Sequence, residues 1–232
     1  MRLKHLLKYA LSPFTATIRT GALKGRRWVI ASGSRFVRGT YEPRQCEVFQ
    51  RLARPGGTVF DVGAHVGFYT VLSSQLTGPD GRVFAFEPLP ANLRYLRRHC
   101  RINGCANVTV YEVAVGDRDG TARFDDSHGT GVGHLSSGGS LDVRVRALDA
   151  MIASGEVPVP DFIKVDVEGA ELLVLDGAKR LLTDHLPVVV LSVHSDDLDR
   201  ECRGKLASLG YTVTEVDRHV LLASPPGHSP RA

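Results

Sequence analysis

The 232-residue sequence contains few cysteines and no long apolar run. Its four cysteines, Cys46, Cys100, Cys105 and Cys202, form no C-x-x-C pair and have no histidine at zinc-finger spacing. These absences exclude a dithiol redox motif and a zinc knuckle, and they predict reduced, structural thiols and a cytoplasmic location. No apolar stretch approaches the ~20 residues that a membrane-spanning helix needs, so no such helix is predicted.

The sequence also lacks a large excess of either charge. Lysine and arginine number 29, aspartate and glutamate 25, and 43% of the residues are hydrophobic. Mixed charges with an ordinary apolar fraction exclude disordered, collagen-like and coiled-coil proteins, and the length suits one compact domain. The formal net charge of +4 favours anionic partners but is too small to predict nucleic-acid binding.

Residues 1–57 differ in pattern from the rest and are predicted to form an N-terminal helix and hairpin extension. Apolar residues near helical spacing between Leu3 and Phe14 predict a short helix that docks on the domain. A weak peripheral membrane contact by this helix is the alternative, while Lys4 and Lys8 interrupt any signal-peptide core. The segments 28–30 (WVI) and 35–37 (RFV), set among turns rich in glycine and arginine, predict the strands of the hairpin.

From residue 58 onward, short apolar runs alternate with helical patterns, as in parallel strands joined by crossover helices. Five runs rich in β-branched residues are predicted as buried strands: 59–62, 83–86, 108–111, 162–165 and 188–191. One of the helices is predicted to begin at the N-cap Ser195, and a hairpin over 211–215 and 219–223 closes the sheet. The main domain is therefore predicted to span 58–224, with a disordered tail at 225–232.

One segment interrupts this alternation. Residues 124–141 are rich in glycine and serine, which predicts a long loop that is either mobile or a lid over the substrate. If the loop closes, His128 and His134 would contact the substrate. Residues 142–146 then alternate valine with polar residues and predict a surface strand.

The chemistry is expected at the carboxyl ends of the strands, where parallel sheets bind ligands. The first strand leads into the turn Asp61 to Gly67, and the second is followed by Glu87 and Pro88. The G-x-G-x-x-G spacing of dinucleotide sites is missing, and the Asp61 carboxylate would repel a phosphate but suit a ligand with ammonium and sulfonium charges. We therefore expect S-adenosylmethionine, with Glu87 accepting from both ribose hydroxyls. An NAD-dependent oxidoreductase and a non-catalytic nucleotide-binding module are the alternatives.

Longer stretches of the chain resemble a known family. They are 39–43 (GTYEP), 59–70 (VFDVGAHVGFYT), 86–88 (FEP), 113–116 (VAVG) and 163–171 (IKVDVEGAE), and together they resemble the FkbM family of methyltransferases. The resemblance implies a class I methyltransferase, a Rossmann-like α/β three-layer sandwich with a seven-stranded, mostly parallel sheet and a reversed last strand. It also implies O-methylation of a hydroxyl on a sugar or another small natural product; a larger membrane-associated or protein-bound glycan is the alternative acceptor.

The resemblance carries site residues with it. Tyr41 and Glu42 would reach the substrate, Glu87 the ribose and Ala114 the adenine. His65 stands where the family commonly has asparagine, and Ser192 stands where an acid often precedes the histidine. The residues expected to bind the cofactor are Asp61, Gly63, Ala64, His65, Gly67, Phe68, Tyr69, Glu87, Pro88, Ala114 and Asp166.

Methyl transfer to an alcohol needs a general base, since the hydroxyl is a poor nucleophile until its proton is drawn off. Asp166 and Glu168 follow the fourth predicted strand and His194 follows the fifth, so these three are the predicted catalytic residues. His194 has a suitable ordinary pKa for a base, although it could instead cap the next helix. Asp166 could orient the cofactor or the hydroxyl, and Glu168 and Glu171 could act on a helix dipole. No metal is predicted; a cation held by Asp166 with Asp196 or His194 is the alternative.

Overall fold

The computed structural model describes residues 14–125, 134–135 and 141–227. The first elements are β1 (Thr15–Thr17), β2 (Arg27–Val29), a 3₁₀ turn (Ile30–Ser32), α1 (Ser34–Arg38) and α2 (Pro43–Leu52). β1 and β2 pair antiparallel, with Ala16 opposite Trp28. The extension therefore does contain a hairpin, but the predicted pairing is wrong, because 27–29 pairs with 15–17 while residues 35–37 lie in α1. The predicted helix before Phe14, with its membrane contact, lies outside the described residues.

The alternating region follows from Thr58. In chain order its elements are β3 (Thr58–Val62), α3 (Phe68–Thr77), β4 (Arg82–Phe86), α4 (Pro90–Ile102), β5 (Val108–Tyr111), β6 (Ala114–Val115), β7 (Gly120–Asp125), β8 (His134–Leu135), β9 (Leu141–Arg146), α5 (Leu148–Ala153), β10 (Phe162–Val165), α6 (Glu171–Gly177), a π turn (Leu181–His185), β11 (Val188–Ser192), α7 (Asp196–Ser208), β12 (Thr212–Asp217) and β13 (Val220–Ser224). All five predicted strands and the closing hairpin are present, but β5 lies at the edge of the sheet and is only partly buried, so its predicted burial is wrong. Ser195 is the N-cap of α7, and its hydroxyl accepts from the Leu198 amide at 3.1 Å.

The central sheet has seven strands in the order β12-β13-β11-β10-β3-β4-β5. β3, β4, β5, β10 and β11 run parallel, whereas β13 is antiparallel to both of its neighbours. The predicted class I α/β architecture with a reversed last strand is thus confirmed. The order reverses between β3 and β10, because β4 lies on one side of β3 and β10 on the other. Their carboxyl ends form the switch point at which such sheets bind ligands.

Alternate side chains of the central strands enter two separate cores. Phe60 and Ile163 pack in the core on one face, whereas Val59 and Phe162 pack in the core on the other. Successive side chains of a strand point to opposite faces, so the two cores account for the buried runs of the sequence. Lys164 is paired in register with Asp61, which brings two charged side chains together inside the sheet.

β6 to β9 form a second, four-stranded sheet in the order β6-β9-β7-β8. The predicted surface strand at 142–146 is confirmed as part of β9. Within the segment predicted as a loop, 124–125 and 134–135 are instead backbone partners in β7 and β8. His128 and the proposed closure of the loop lie outside the described residues, as does the side chain of His134.

The N-terminal extension is anchored on α4 through a buried histidine. The His99 ring stacks on Trp28 with centroids 3.6 Å apart, and its Nε2 accepts from the Val29 amide at 3.1 Å. Nδ1 therefore carries the proton and donates to the Val66 carbonyl at 2.7 Å. Burial lowers the pKa of His99 to about 4. In the part of the chain that the structure describes, no helix has both the length and the apolar character to cross a membrane.

Candidate active site

The turn after β3 is shaped by close backbone approaches. Gly63 has a φ of +78°, and a Cβ there would lie 1.8 Å from the Asp166 carbonyl oxygen, a contact that only glycine avoids. The amides of Gly63 and Ala64 both donate to the Phe86 carbonyl at 3.0 Å. The ends of β3, β4 and β10 are thereby tied together, as the sequence argument required.

An open cleft lies over these strand ends. Nine of the residues predicted to bind the cofactor line it: Gly63, Ala64, His65, Phe68, Tyr69, Glu87, Pro88, Ala114 and Asp166. Tyr41 and Glu168 line it too. The cleft also has apolar and polar walls that the sequence argument missed, among them Phe36, Leu89, Asn92, Val113 and Lys164.

Glu87 is held in place by three donors. Its Oε1 accepts from the Leu89 amide at 3.0 Å and from Asn92 Nδ2 at 3.1 Å, and its Oε2 accepts from the His65 amide at 2.8 Å. Burial raises the pKa of this carboxyl, while the same hydrogen bonds oppose the rise. Glu87 is therefore a pre-oriented acceptor at the end of β4, the place expected for a carboxylate that binds a ribose.

Asp61 differs from its predicted place because it does not line the cleft. It is completely buried, its Oδ2 accepts from the Thr70 hydroxyl at 2.6 Å, and its Oδ1 lies 3.5 Å from Lys164 Nζ. Gly67 does not line the cleft either; a Cβ there would lie 2.5 Å from a Leu96 methyl group. The side-chain positions of both residues face the packed interior, so these residues shape the turn without lining the cleft.

Lys164 is the charged residue of the cleft that sequence analysis missed. Its Nζ is within 3.2 Å of Asp166 Oδ2 and donates to the Gly63 carbonyl at 3.2 Å. Burial by itself would lower the pKa of Lys164, but Asp166 and Asp61 raise it above the ordinary value, so the ammonium stays charged. A lysine within the apolar run 162–165 was the available signal, since an unpaired lysine is seldom fully buried.

His194 contacts three carboxylates, of which Asp166 and Glu168 line the cleft while His194 itself lies behind them and does not. Its Nδ1 lies 2.6 Å from Glu171 Oε1, and its Nε2 lies 3.3 Å from Glu168 Oε2 and 3.5 Å from Asp166 Oδ1. The structure therefore brings the three predicted catalytic residues together and adds Glu171 to them. His194 does not cap α7, because that position belongs to Ser195.

The charges and hydrogen bonds of these groups change one another's pKa values. Burial would lower the pKa of His194, but the Glu171 hydrogen bond and the Glu168 charge raise it. Burial raises the pKa of Glu168, whereas for Asp166 the effect of burial is outweighed by Lys164 and His194, which lower its pKa. Glu168 also has a φ of +52°, an unfavourable conformation for a side chain of its kind. A strained residue in a coupled cluster is typical of an active site.

The same cluster has the dimensions of a cation site. Ligand atoms of Asp166, Glu168 and His194 lie within 4.8 Å of one another. However, Asp166 already pairs with the buried Lys164 ammonium, and a divalent cation would compete with that charge at close range. The Lys164 charge therefore argues against a divalent cation at this cluster.

An aromatic wall closes the side of the cleft next to α1. The ring of Tyr41 lies 4.5 Å from that of Phe36 and 4.9 Å from that of Phe68, centroid to centroid. Glu42 accepts from the Tyr69 hydroxyl at 2.7 Å and does not itself line the cleft. Burial raises the pKa of both Tyr41 and Tyr69, so both phenols remain protonated.

Comparison with known proteins gives consistent results. The family model described as the Methyltransferase FkbM domain matches residues 61–217. A hexuronic acid methyltransferase, AglP of Haloferax volcanii, is 30% identical over 72% of this chain and 67% of its own length. The 2-O-methyltransferase NoeI of Sinorhizobium fredii is 28% identical over 59% of this chain and 63% of its own. The chain thus spans about two thirds of the length of these relatives.

A solved structure supports the fold. The methyltransferase FkbM from Methylobacillus flagellatus superposes on 95% of this chain and 59% of its own, with a TM-score of 0.54 at 21% identity. At this level of identity the likeness concerns the fold alone.

Proposed function

Because the chain belongs to the FkbM family of S-adenosylmethionine-dependent methyltransferases, we propose that it transfers a methyl group to a hydroxyl of a sugar or of a related small natural product. The observation that carries this proposal is the cluster in which His194 contacts Asp166 and Glu168, the two carboxylates that line the cleft. Relatives that methylate a hexuronic acid and a 2-hydroxyl support the choice of acceptor.

The residues of the cleft suit S-adenosylmethionine. Three carboxylates line it, those of Glu87, Asp166 and Glu168, against the single buried ammonium of Lys164. This balance favours a ligand with cationic ammonium and sulfonium groups over one with phosphates. We assign Glu87 to the ribose hydroxyls and the cleft next to Ala114 to the adenine, with Asp166 at the amino-acid end.

When bound, the cofactor supplies an electrophilic methyl group for in-line displacement. The protein's contribution is to align the acceptor and to remove its proton. His194 Nδ1 faces an acceptor-only carboxylate, so Nδ1 carries the proton of the neutral ring and Nε2 has the free electron pair. A hydroxyl at the rim can hydrogen-bond to Nε2 and transfer its proton there as the new C–O bond forms.

The aromatic wall accounts for the rest of the acceptor site. Phe36, Tyr41 and Phe68 present ring faces and edges on which the C–H face of a sugar ring can pack. The Tyr41 hydroxyl remains a hydrogen-bond donor there, because its raised pKa keeps it protonated. An apolar wall with a few oriented polar groups is the usual construction of a small-molecule site.

The test measures binding and turnover separately. Isotope-labelled methyl transfer from S-adenosylmethionine is screened over uronic acids, neutral sugars and hydroxylated natural products, and each hit is repeated with analogues that lack one hydroxyl. We expect His194→Ala to lose at least about 100-fold in kcat, the range for loss of a general base, while calorimetry shows unchanged binding of S-adenosylhomocysteine. Transfer to a nitrogen acceptor, or full turnover by His194→Ala, would contradict the proposal.

A further inference from the structure

We propose that Glu171 is a positioning residue for methyl transfer, which fixes the tautomer of His194 and stabilises the imidazolium that forms when the ring takes the acceptor's proton. This inference rests on the proposed function, in which His194 is the base. Glu171 does not line the cleft, so its effect on an acceptor would pass through the groups that it contacts or charges, first the His194 ring and secondly Glu168, whose pKa burial raises and the Glu171 charge raises further.

The contact itself is short and well supported. Glu171 Oε1 lies 2.6 Å from His194 Nδ1 and also accepts from the Gly169 amide at 2.9 Å. Glu171 is completely buried. A carboxylate with two donors on one oxygen has a fixed orientation, and it fixes the plane of the ring that donates to it.

Burial of Glu171 needs an explanation other than helix capping. Its second oxygen, Oε2, is buried without a hydrogen-bond partner among the described residues, and such a group costs free energy. An acid that only favours a helix N-terminus can remain in solvent, as Asp196 and Asp197 do in the first turn of α7. The buried position is therefore explained by the ring it contacts and not by the dipole of α6.

The other charges around the ring set the direction of its effect. Asp166 and Glu168 face Nε2 from the segment after β10, Glu171 faces Nδ1 from α6, and Lys164 pairs with Asp166 away from the ring. All three groups next to the ring are carboxylates, which favour its protonated form. Removing the Glu171 charge should lower the pKa of His194. Because the neutral ring is the base, the acidic limb of the pH profile, where kcat rises with pH, should then move to lower pH.

Glu171→Gln separates orientation from charge. The Gly169 amide donates to Oε1, so it would hold the glutamine carbonyl oxygen toward His194 Nδ1 and preserve the tautomer. We expect kcat to fall about tenfold and the acidic limb of the kcat profile to move down by about one pH unit, with unchanged S-adenosylhomocysteine binding. Glu171→Ala removes orientation as well and should cost at least tenfold more. Asp176→Asn, which removes an exposed charge from the same helix, should leave both limb and kcat unchanged.

The outcomes distinguish this inference from the proposed function. If His194→Ala keeps full turnover, the base is wrong and the inference falls with it. If His194→Ala is inactive but Glu171→Gln keeps the wild-type limb, only the role of Glu171 is overturned. A nitrogen-15 NMR titration of the wild type gives a further test that needs no variant. Neutral His194 should carry its proton on Nδ1, and a proton on Nε2 would overturn the inference.

Discussion

Replacing Lys164 by methionine should destabilise the protein by about 3–5 kcal/mol, because the buried Asp61 carboxylate would lose its cation. Lys164 is 2% exposed and Asp61 is 0% exposed, with 3.5 Å between Nζ and Oδ1. Among the described residues, the Thr70 hydroxyl would then be the one remaining hydrogen-bond partner of Asp61. Methionine has a similar length, so the loss should come from the unpaired charge and not from a cavity.

Adding Asp61→Asn to the methionine variant should restore at least about 2 kcal/mol, since removal of both members of a buried pair is far less costly than removal of one. Asp166, the other partner of Lys164, is 21% exposed in its side chain and can be solvated. The measurement is urea unfolding of both single variants and the double variant, followed by circular dichroism and by the fluorescence of Trp28, the only tryptophan. Equal m-values for the wild type and all three variants would show that each unfolds with the same change in exposed surface, so that their free energies of unfolding can be compared. If the double variant is as unstable as the sum of the single variants, the two charges do not interact and the reasoning fails.

Three further predictions concern the cofactor turn and the rim. Glu87→Gln should weaken S-adenosylhomocysteine binding about 10- to 100-fold in calorimetry, the loss for a charged hydrogen bond, while Glu112→Gln, at an exposed ion pair, should not change it. Gly63→Ala should destabilise the fold by about 2–4 kcal/mol in urea unfolding, since the new Cβ would clash with a backbone oxygen at positive φ. Gly204→Ala is the control, because a Cβ there would have no atom within 4 Å. Chelation by EDTA should leave initial rates unchanged, and activity that is lost to EDTA and restored by Mg²⁺ would instead make the cluster a cation site.

Local sequence was sufficient for most of the alternating region. Four of the five β-branched runs form central strands, because a strand covered on both faces needs nearly continuous apolar residues, while the fifth, β5, lies at the edge of the sheet. Ser195 caps α7 by accepting from an amide three residues away. The pattern failed at residues 35–37. There α1 forms instead of a strand, and Phe36 packs against Trp28 and Phe68 with ring centroids 5.5 and 5.6 Å away. A segment as short as Arg35-Phe36-Val37 fits a helix or a strand equally well, and distant contacts decide between them.

The charged residues of the site show the same division. Glu87 and Asp166 were found from their places after strands, since chain order and parallel pairing put those ends together. Asp61 was misplaced because strand alternation turns its side chain toward Lys164 instead of the cleft. Strand periodicity shows that successive side chains point to opposite faces of the sheet, but it does not show which face borders the cleft.

The sequence alone determined the class of fold, the edge of the sheet that carries the chemistry and the family to which the chain is similar, because these depend on local periodicity and on short motifs. Only the tertiary structure decided that Lys164 neutralises Asp61 and that Glu171 holds His194. The partners in each pair are far apart in the chain and meet only through the pairing of β3, β10 and β11. The interaction between two charges depends on their distance in space. Spacing along the sequence does not give that distance; the register of the paired strands does.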